Sequence, residues 1–200
     1  CGVVISKGRI IGAVPKTHVR NKGPQSDERW FTSGLEAVNA EIGLCNQKVP
    51  FGTDLLFRAQ KISGKISNKN IDGNAFRNYG AEDIGNENIN ILTEKTSQYI
   101  AKNVDESVDE NSSVCFGIEI SQDMWNPLPP SSYQALSGAD IIFNLAAEAD
   151  LAGRHKYRKE LIRQQSARCK AGYVFASSGI YESSTDMVFG GYCLISENGR

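Results

Sequence analysis

Three residues stand where chemistry could occur. Val114–Ile120 reads as a buried strand, and Ser121 follows its last residue. In layered α/β folds a reactive group often sits just past the carboxyl end of such a strand, where the chain turns sharply. Alternation along the strand puts Cys115, Gly117, Glu119 and Ser121 on one side and Val114, Phe116, Ile118 and Ile120 on the other. A carboxylate at 119 among apolar neighbours needs a partner or water, because a lone buried charge is costly. Such residues at strand ends are more often structural than catalytic. Lys16 follows a second apolar strand through Val14-Pro15, where its ammonium could stabilise negative charge on a reacting carbonyl oxygen. On spacing alone, a solvated lysine is the ordinary reading.

Other chemistries lack their residues. Neither His18 nor His155 sits in a motif with a carboxylate, so no Ser-His-Asp set is read. No GxxxxGK[ST] phosphate loop occurs, and Gly190-Gly191 lacks that context. The five cysteines, Cys1, Cys45, Cys115, Cys169 and Cys193, are far apart and show no CxxC spacing. They read as reduced thiols of a cytosolic protein, and with two histidines no metal site is expected. A net charge of -1 gives no electrostatic reason to expect nucleic acid or an anionic membrane as partner. No apolar run is long enough for a transmembrane helix, and no secretion leader is visible ahead of the first strand.

The elements that must position these residues follow an α/β pattern. With 40% apolar and 22% charged residues, the 200-residue chain has an ordinary globular composition. Val3-Val4-Ile5 and Ile10–Val14 read as strands joined around Lys7-Gly8, and Pro15 ends their pairing. Residues 16–48 read as mixed loop, and Val49–Phe57 returns to strand-like composition. Residues 58–113 read as an insertion, solvated and flexible, with nine asparagines and an acidic tail. One weak helical face inside it joins Ile89, Leu92, Tyr99 and Ile100. Beyond Ser121 a short helix capped by Ser131 or Ser132 runs through Leu136 and stops at Gly138. Then come a strand at Ala139–Leu145, a helix at Arg154–Ala171 closed by Gly172, and strands at Tyr173–Ser177 and Tyr192–Ile195. An Asn198-Gly199 turn follows. The apolar face of the long helix holds Tyr157, Leu161, Ile162 and Cys169. Arg154, Lys156, Arg158, Lys159, Arg163, Arg168 and Lys170 form its other sides, read as a solvated, salt-bridged surface.

Several strings carry a resemblance. Val14-Pro15-Lys16-Thr17, Arg29–Gly34 and Val49–Phe57 are followed in order by Phe116–Trp125 and Pro129–Ser132. Tyr157–Leu161, Gln164–Cys169 and Ser184–Gly191 complete the set. Together they resemble the glutaminase domain of the glutamine-dependent NAD synthetases, over roughly 1–57 and 114–200. The family crosses the intervening Asn-rich stretch with a short loop.

The resemblance implies an α/β, nitrilase-like αββα sandwich, one domain spanning 1–200 and incomplete at its N-terminus. It implies hydrolysis of the glutamine side-chain amide by a Glu-Lys-Cys triad, through a thioester. The ammonia would pass to a separate synthetase domain or subunit that uses ATP and magnesium. No cofactor is implied for this chain, and the implied setting is a cytoplasmic homo-oligomer. Carried over, Lys16 matches the family lysine and Ser121 stands at the nucleophilic cysteine. The general-base glutamate would belong to a segment ahead of Cys1. The resemblance also puts Asp27, Gln122, Trp125 and Glu148 at the substrate. Here Asp27 and Gln122 replace glutamates, Glu148 replaces a small serine, and Lys22 replaces a tyrosine. A serine hydroxyl ionises far less readily than a thiol of pKa about 8.5. The resemblance therefore also implies impaired hydrolysis, with a non-catalytic nitrilase-fold module as the alternative.

Overall fold

The computed structural model describes residues 1–19, 27–60, 89–92 and 113–200. Its frame is a mixed six-stranded sheet. Strand β7 (Ser113–Ile120), β8 (Ile141–Ala146) and β9 (Gly172–Ser177) lie side by side and parallel, with Phe116 opposite Ile141 and Ile142 opposite Tyr173. β5 (Leu56–Gln60) and β6 (Ile89–Leu92) extend one flank antiparallel, and β10 (Cys193–Ser196) closes the other. The three central strands are rich in Ile, Val and Phe because both of their faces are covered.

Helix α1 (Pro130–Leu136) links β7 to β8, and α2 (Arg154–Cys169) links β8 to β9. Beneath them Cys115, Ile142, Tyr173 and Phe175 pack with Met124 and the fully buried Ile162. The opposite face presents Phe57 and Ile118 to the hairpin of β1 (Gly2–Ser6) and β2 (Arg9–Val14), which adds Val4 and Val14. Glycine permits this close approach. A Cβ on Gly2 would lie 2.9 Å from Ile118 Cγ2, and one on Gly12 would lie 2.8 Å from the Phe57 ring. The layered α/β fold expected from the sequence is the fold found. The described residues supply a helical layer, the main sheet and a second β layer.

The local differences have physical causes. Residues 16–48 hold more than loop, for β3 (Glu41–Leu44) and β4 (Gln47–Pro50) form a hairpin. Its turn places Cys45 and Asn46 at φ 47° and 60°, without the Asn-Gly pair that advertises such turns. The strand-like stretch Val49–Phe57 is split between β4 and β5. Ser131 and Ser132 do not cap α1; Pro129 is the N-cap, with Pro130 in the first turn. Helix α2 ends at Lys170, in the left-handed region at φ 51°, and Gly172 already belongs to β9. Ile89 and Leu92 lie in a strand rather than a helix, because β6 pairs with β5. Tyr99, Ile100 and most of the 58–113 segment lie outside the described residues. Arg158, placed by periodicity on the solvated side of α2, is 1% exposed. Among the described residues no helix is long and apolar enough to cross a membrane.

Candidate active site

The parallel strands aim their carboxyl ends at one edge, and a cleft of about 510 Å³ opens there. Ser121 follows β7, Ala147 follows β8, and Ser177 and Ser178 end and follow β9; all four line it. Lys16 enters from the end of β2, with Asp27 and Glu182 as the lining carboxylates. Open α/β sheets bind ligands at such carboxyl edges.

Ser121 begins a short 3-10 turn, Ser121–Trp125, and takes φ 50°. That backbone region is unfavourable for a residue with a Cβ and persists only where the surroundings enforce it. They do so from two sides. Asn144, fully buried in β8, donates from Nδ2 to the Ser121 carbonyl at 3.0 Å. Asp123, also fully buried, accepts the Ile120 N–H at 3.2 Å. The same carboxylate accepts the N–H groups of Thr17 at 3.0 Å and His18 at 2.8 Å. The Lys16 ammonium donates to the Ile120 carbonyl at 3.4 Å. The structure thus brings Lys16 to the residue immediately before Ser121.

Gln122 is buried and lines the same cleft, and half-buried Asp27 does so from the start of a short 3-10 turn. Trp125 and Glu148, expected at the substrate, are not among its lining residues. They face each other instead. The Trp125 indole donates to Glu148 Oε1 at 2.8 Å, and Arg158 Nε donates to Glu148 Oε2 at 3.1 Å. Trp125 also stacks on Tyr157 at 5.3 Å, with the Arg154 guanidinium 5.0 Å from its ring centre. Arg158 reaches this buried carboxylate from the first turns of α2 and compensates its charge. Lys22 lies outside the described residues.

Glu119 faces the helical layer beneath the cleft. It accepts the Ser131 N–H at 2.9 Å and the Asn144 amide at 3.2 Å, and Tyr173 donates its hydroxyl to the same carboxylate. Burial pushes this carboxyl above its ordinary range, against the pull of those hydrogen bonds. Burial, with the neighbouring Glu119, likewise drives Tyr173 well above 10. The partner that Glu119 required is this network, and its place is structural.

Sequence reasoning did not single out Asp123 or Asn144. The only signal for Asp123 was a carboxylate two residues past the reactive strand end, the spacing at which a side chain can turn back onto its own backbone. Asn144 gave none, because its partners come from other strands.

No family model matches the chain. A glutamine-dependent NAD(+) synthetase of Mycobacterium tuberculosis is 29% identical over 197 residues, covering 98% of this chain. The corresponding protein of Mycobacterium leprae is 28% identical over the same length. The chain is homologous to glutamine-dependent NAD(+) synthetases. It spans 22% of the length of these relatives. Solved glutamine-dependent NAD(+) synthetases share the fold. That of Cytophaga hutchinsonii superposes with a TM-score of 0.58 at 20% identity, over 99% of this chain and 23% of that one. That of Acinetobacter baumannii, solved with ADP, gives 0.55 at 13% identity, over 99% and 24%.

Proposed function

We propose that this chain is part of the glutamine-hydrolysing domain of an NAD synthetase, with Ser121 at the nucleophile position. The observation that carries the reading is one juxtaposition. A positively charged Lys16 bonds the carbonyl that precedes Ser121, and both line a cleft at the carboxyl edge of three parallel strands. In the reaction the Ser121 oxygen attacks the amide carbon of glutamine, and its hydroxyl proton passes to the amide nitrogen that leaves. The lysine ammonium stabilises the tetrahedral oxyanion. Protonation of the leaving nitrogen releases ammonia and leaves an ester, which water then hydrolyses to glutamate. A serine hydroxyl is a weak nucleophile unless a base activates it, so turnover is slow. The ammonia would pass to an ATP- and magnesium-using synthetase domain or subunit, in the cytoplasm.

A second reading, a pseudoenzyme module that keeps the fold for contacts, is favoured by the serine at 121 and by Glu148 being tied to Trp125 and Arg158. Ammonia release from glutamine separates the two. Measured on the intact parent protein, where the resemblance puts the general-base glutamate, the hydrolytic reading expects little release with native Ser121, a rise of about tenfold or more in Ser121→Cys, and loss of that rise when Lys16→Ala is added. No release from Ser121→Cys would defeat it in favour of the module.

A further inference from the structure

We infer that Asp123 is a positioning residue that sets Lys16 against Ser121 by holding both of their backbone segments on one carboxylate. The inference deepens the hydrolytic reading and rests on it for its purpose, though not for its test. Asp123 is fully buried and does not line the cleft, so it acts through other residues.

Its partners come from segments more than a hundred positions apart in sequence. Oδ2 accepts both the Thr17 N–H at 3.0 Å and the Ile120 N–H at 3.2 Å, and Oδ1 accepts the His18 N–H at 2.8 Å. Thr17 follows Lys16 directly, and Ile120 precedes Ser121 directly. Ile120 is consequently gripped at both ends, its N–H by Asp123 and its carbonyl by the Lys16 ammonium at 3.4 Å. Nothing covalent joins the two segments. Other contacts on the lysine segment, from Gly34 N–H to the Lys16 carbonyl at 2.8 Å and from Ser33 Oγ to the Thr17 carbonyl at 2.5 Å, tie it to the 33–34 loop instead.

The chemistry requires a carboxylate. Two oxygens with four lone-pair sites can take three N–H donors, whereas an asparagine has one oxygen and would turn an NH2 group toward at least one backbone N–H. A purely local turn cap would need only the Ile120 bond. The bonds to Thr17 and His18 make the residue a link between segments.

The test reads the environment of position 121 without requiring hydrolysis. In the full chain carrying Ser121→Cys, iodoacetamide alkylation of the introduced thiol is followed against pH by site-resolved mass spectrometry. The titratable groups around it are Lys16, Asp27 and Glu182 in the cleft and Glu119 beneath. A nearby ammonium favours the thiolate. Lys16→Met should therefore slow alkylation about tenfold at neutral pH, a one-unit shift of the profile, within the range for an opposite charge nearby. Asp123→Asn should reproduce most of that shift, and adding Asp123→Asn to Lys16→Met should change little more. Asp123→Glu, whose longer arm displaces the two segments while keeping both oxygens, should shift the profile in the same direction by a smaller, measurable amount. A folded Asp123→Asn protein with an unmoved profile, or with an effect additive to that of Lys16→Met, overturns the inference. Should Asp123→Asn not fold, an unmoved profile in folded Asp123→Glu overturns it equally. Failure of the hydrolytic reading would show separately, as absent ammonia release with the alkylation response intact.

Discussion

Replacing Glu148 by alanine should remove a large share of the stability of this fold. Glu148 and Arg158 have side chains 1% and 2% exposed, 3.1 Å apart. At an effective dielectric constant of about 20 their attraction is roughly 5 kcal/mol, before either charge is desolvated. Removing one member of such a pair typically costs about 3–5 kcal/mol, because the other charge is left buried and uncompensated. Among the described residues Arg158 has no second carboxylate partner; its guanidinium lies 5.6 and 5.7 Å from the Phe175 and Tyr192 ring centres, and its Nη2 has no hydrogen-bond partner there. Truncation also strands the Trp125 indole N–H, which now donates to Glu148. Against a typical domain stability of about 5–15 kcal/mol, the loss is severe. Urea unfolding of Glu148→Ala should show a large fall in midpoint at an unchanged slope. Glu148→Ser, the residue expected here from family resemblance, should fall nearly as far, since a hydroxyl supplies no charge. The double variant Glu148→Ala/Arg158→Met should regain most of the loss, because it removes the stranded cation while keeping its volume. A single-variant cost below about 1 kcal/mol, the scale of an exposed pair, would refute the reasoning. So would a double variant no more stable than the two single effects summed.

Stability should also depend on pH through Glu119, whose folded-state pKa is raised by burial. The unfolded chain releases that proton first, so the contribution of this group to stability is greatest below the ordinary carboxylate range. It declines as pH rises through the raised folded value and levels off above it. In Glu119→Gln that contribution should vanish, and a thermal-melt series from acid to neutral pH would show whether the two profiles converge at low pH. Ser121→Gly should raise unfolding free energy by about 1 kcal/mol, because glycine accepts the φ of 50° that serine resists; a destabilised glycine variant would show that the turn is not strained. Among the cysteines, Cys1, Cys45 and Cys193 are exposed, whereas burial raises the thiols of Cys115 and Cys169. Alkylation of the native chain should therefore label three sites quickly and two slowly, and rapid labelling of Cys115 would contradict the packing described.

Local sequence was sufficient wherever an element's identity depends on its own pattern. The Val114–Ile120 run, its alternation, the β1–β2 hairpin and the long helix beginning at Arg154 were all legible, since period and turn chemistry are properties of contiguous residues. Resemblance added Lys16 and Ser121 as a pair, and in the fold the Lys16 ammonium bonds the carbonyl of Ile120, the residue before Ser121. What sequence could not provide was any property created by segments distant along the chain. Arg158 looked solvated because helical periodicity knows nothing of Glu148, ten residues earlier in another element. Ile89–Leu92 looked helical because only the β5 edge makes it a strand. Asp123 and Asn144 looked unremarkable because their roles arise from backbone groups that approach only when the sheet and its neighbouring loops assemble. Hydrogen bonds and ion pairs act over a few ångströms of space rather than of sequence. The residues and strand ends were therefore fixed by the chain itself, while the approach of Lys16 to the residue before Ser121, and the pairing of Glu148 with Trp125 and Arg158, were decided by the tertiary fold.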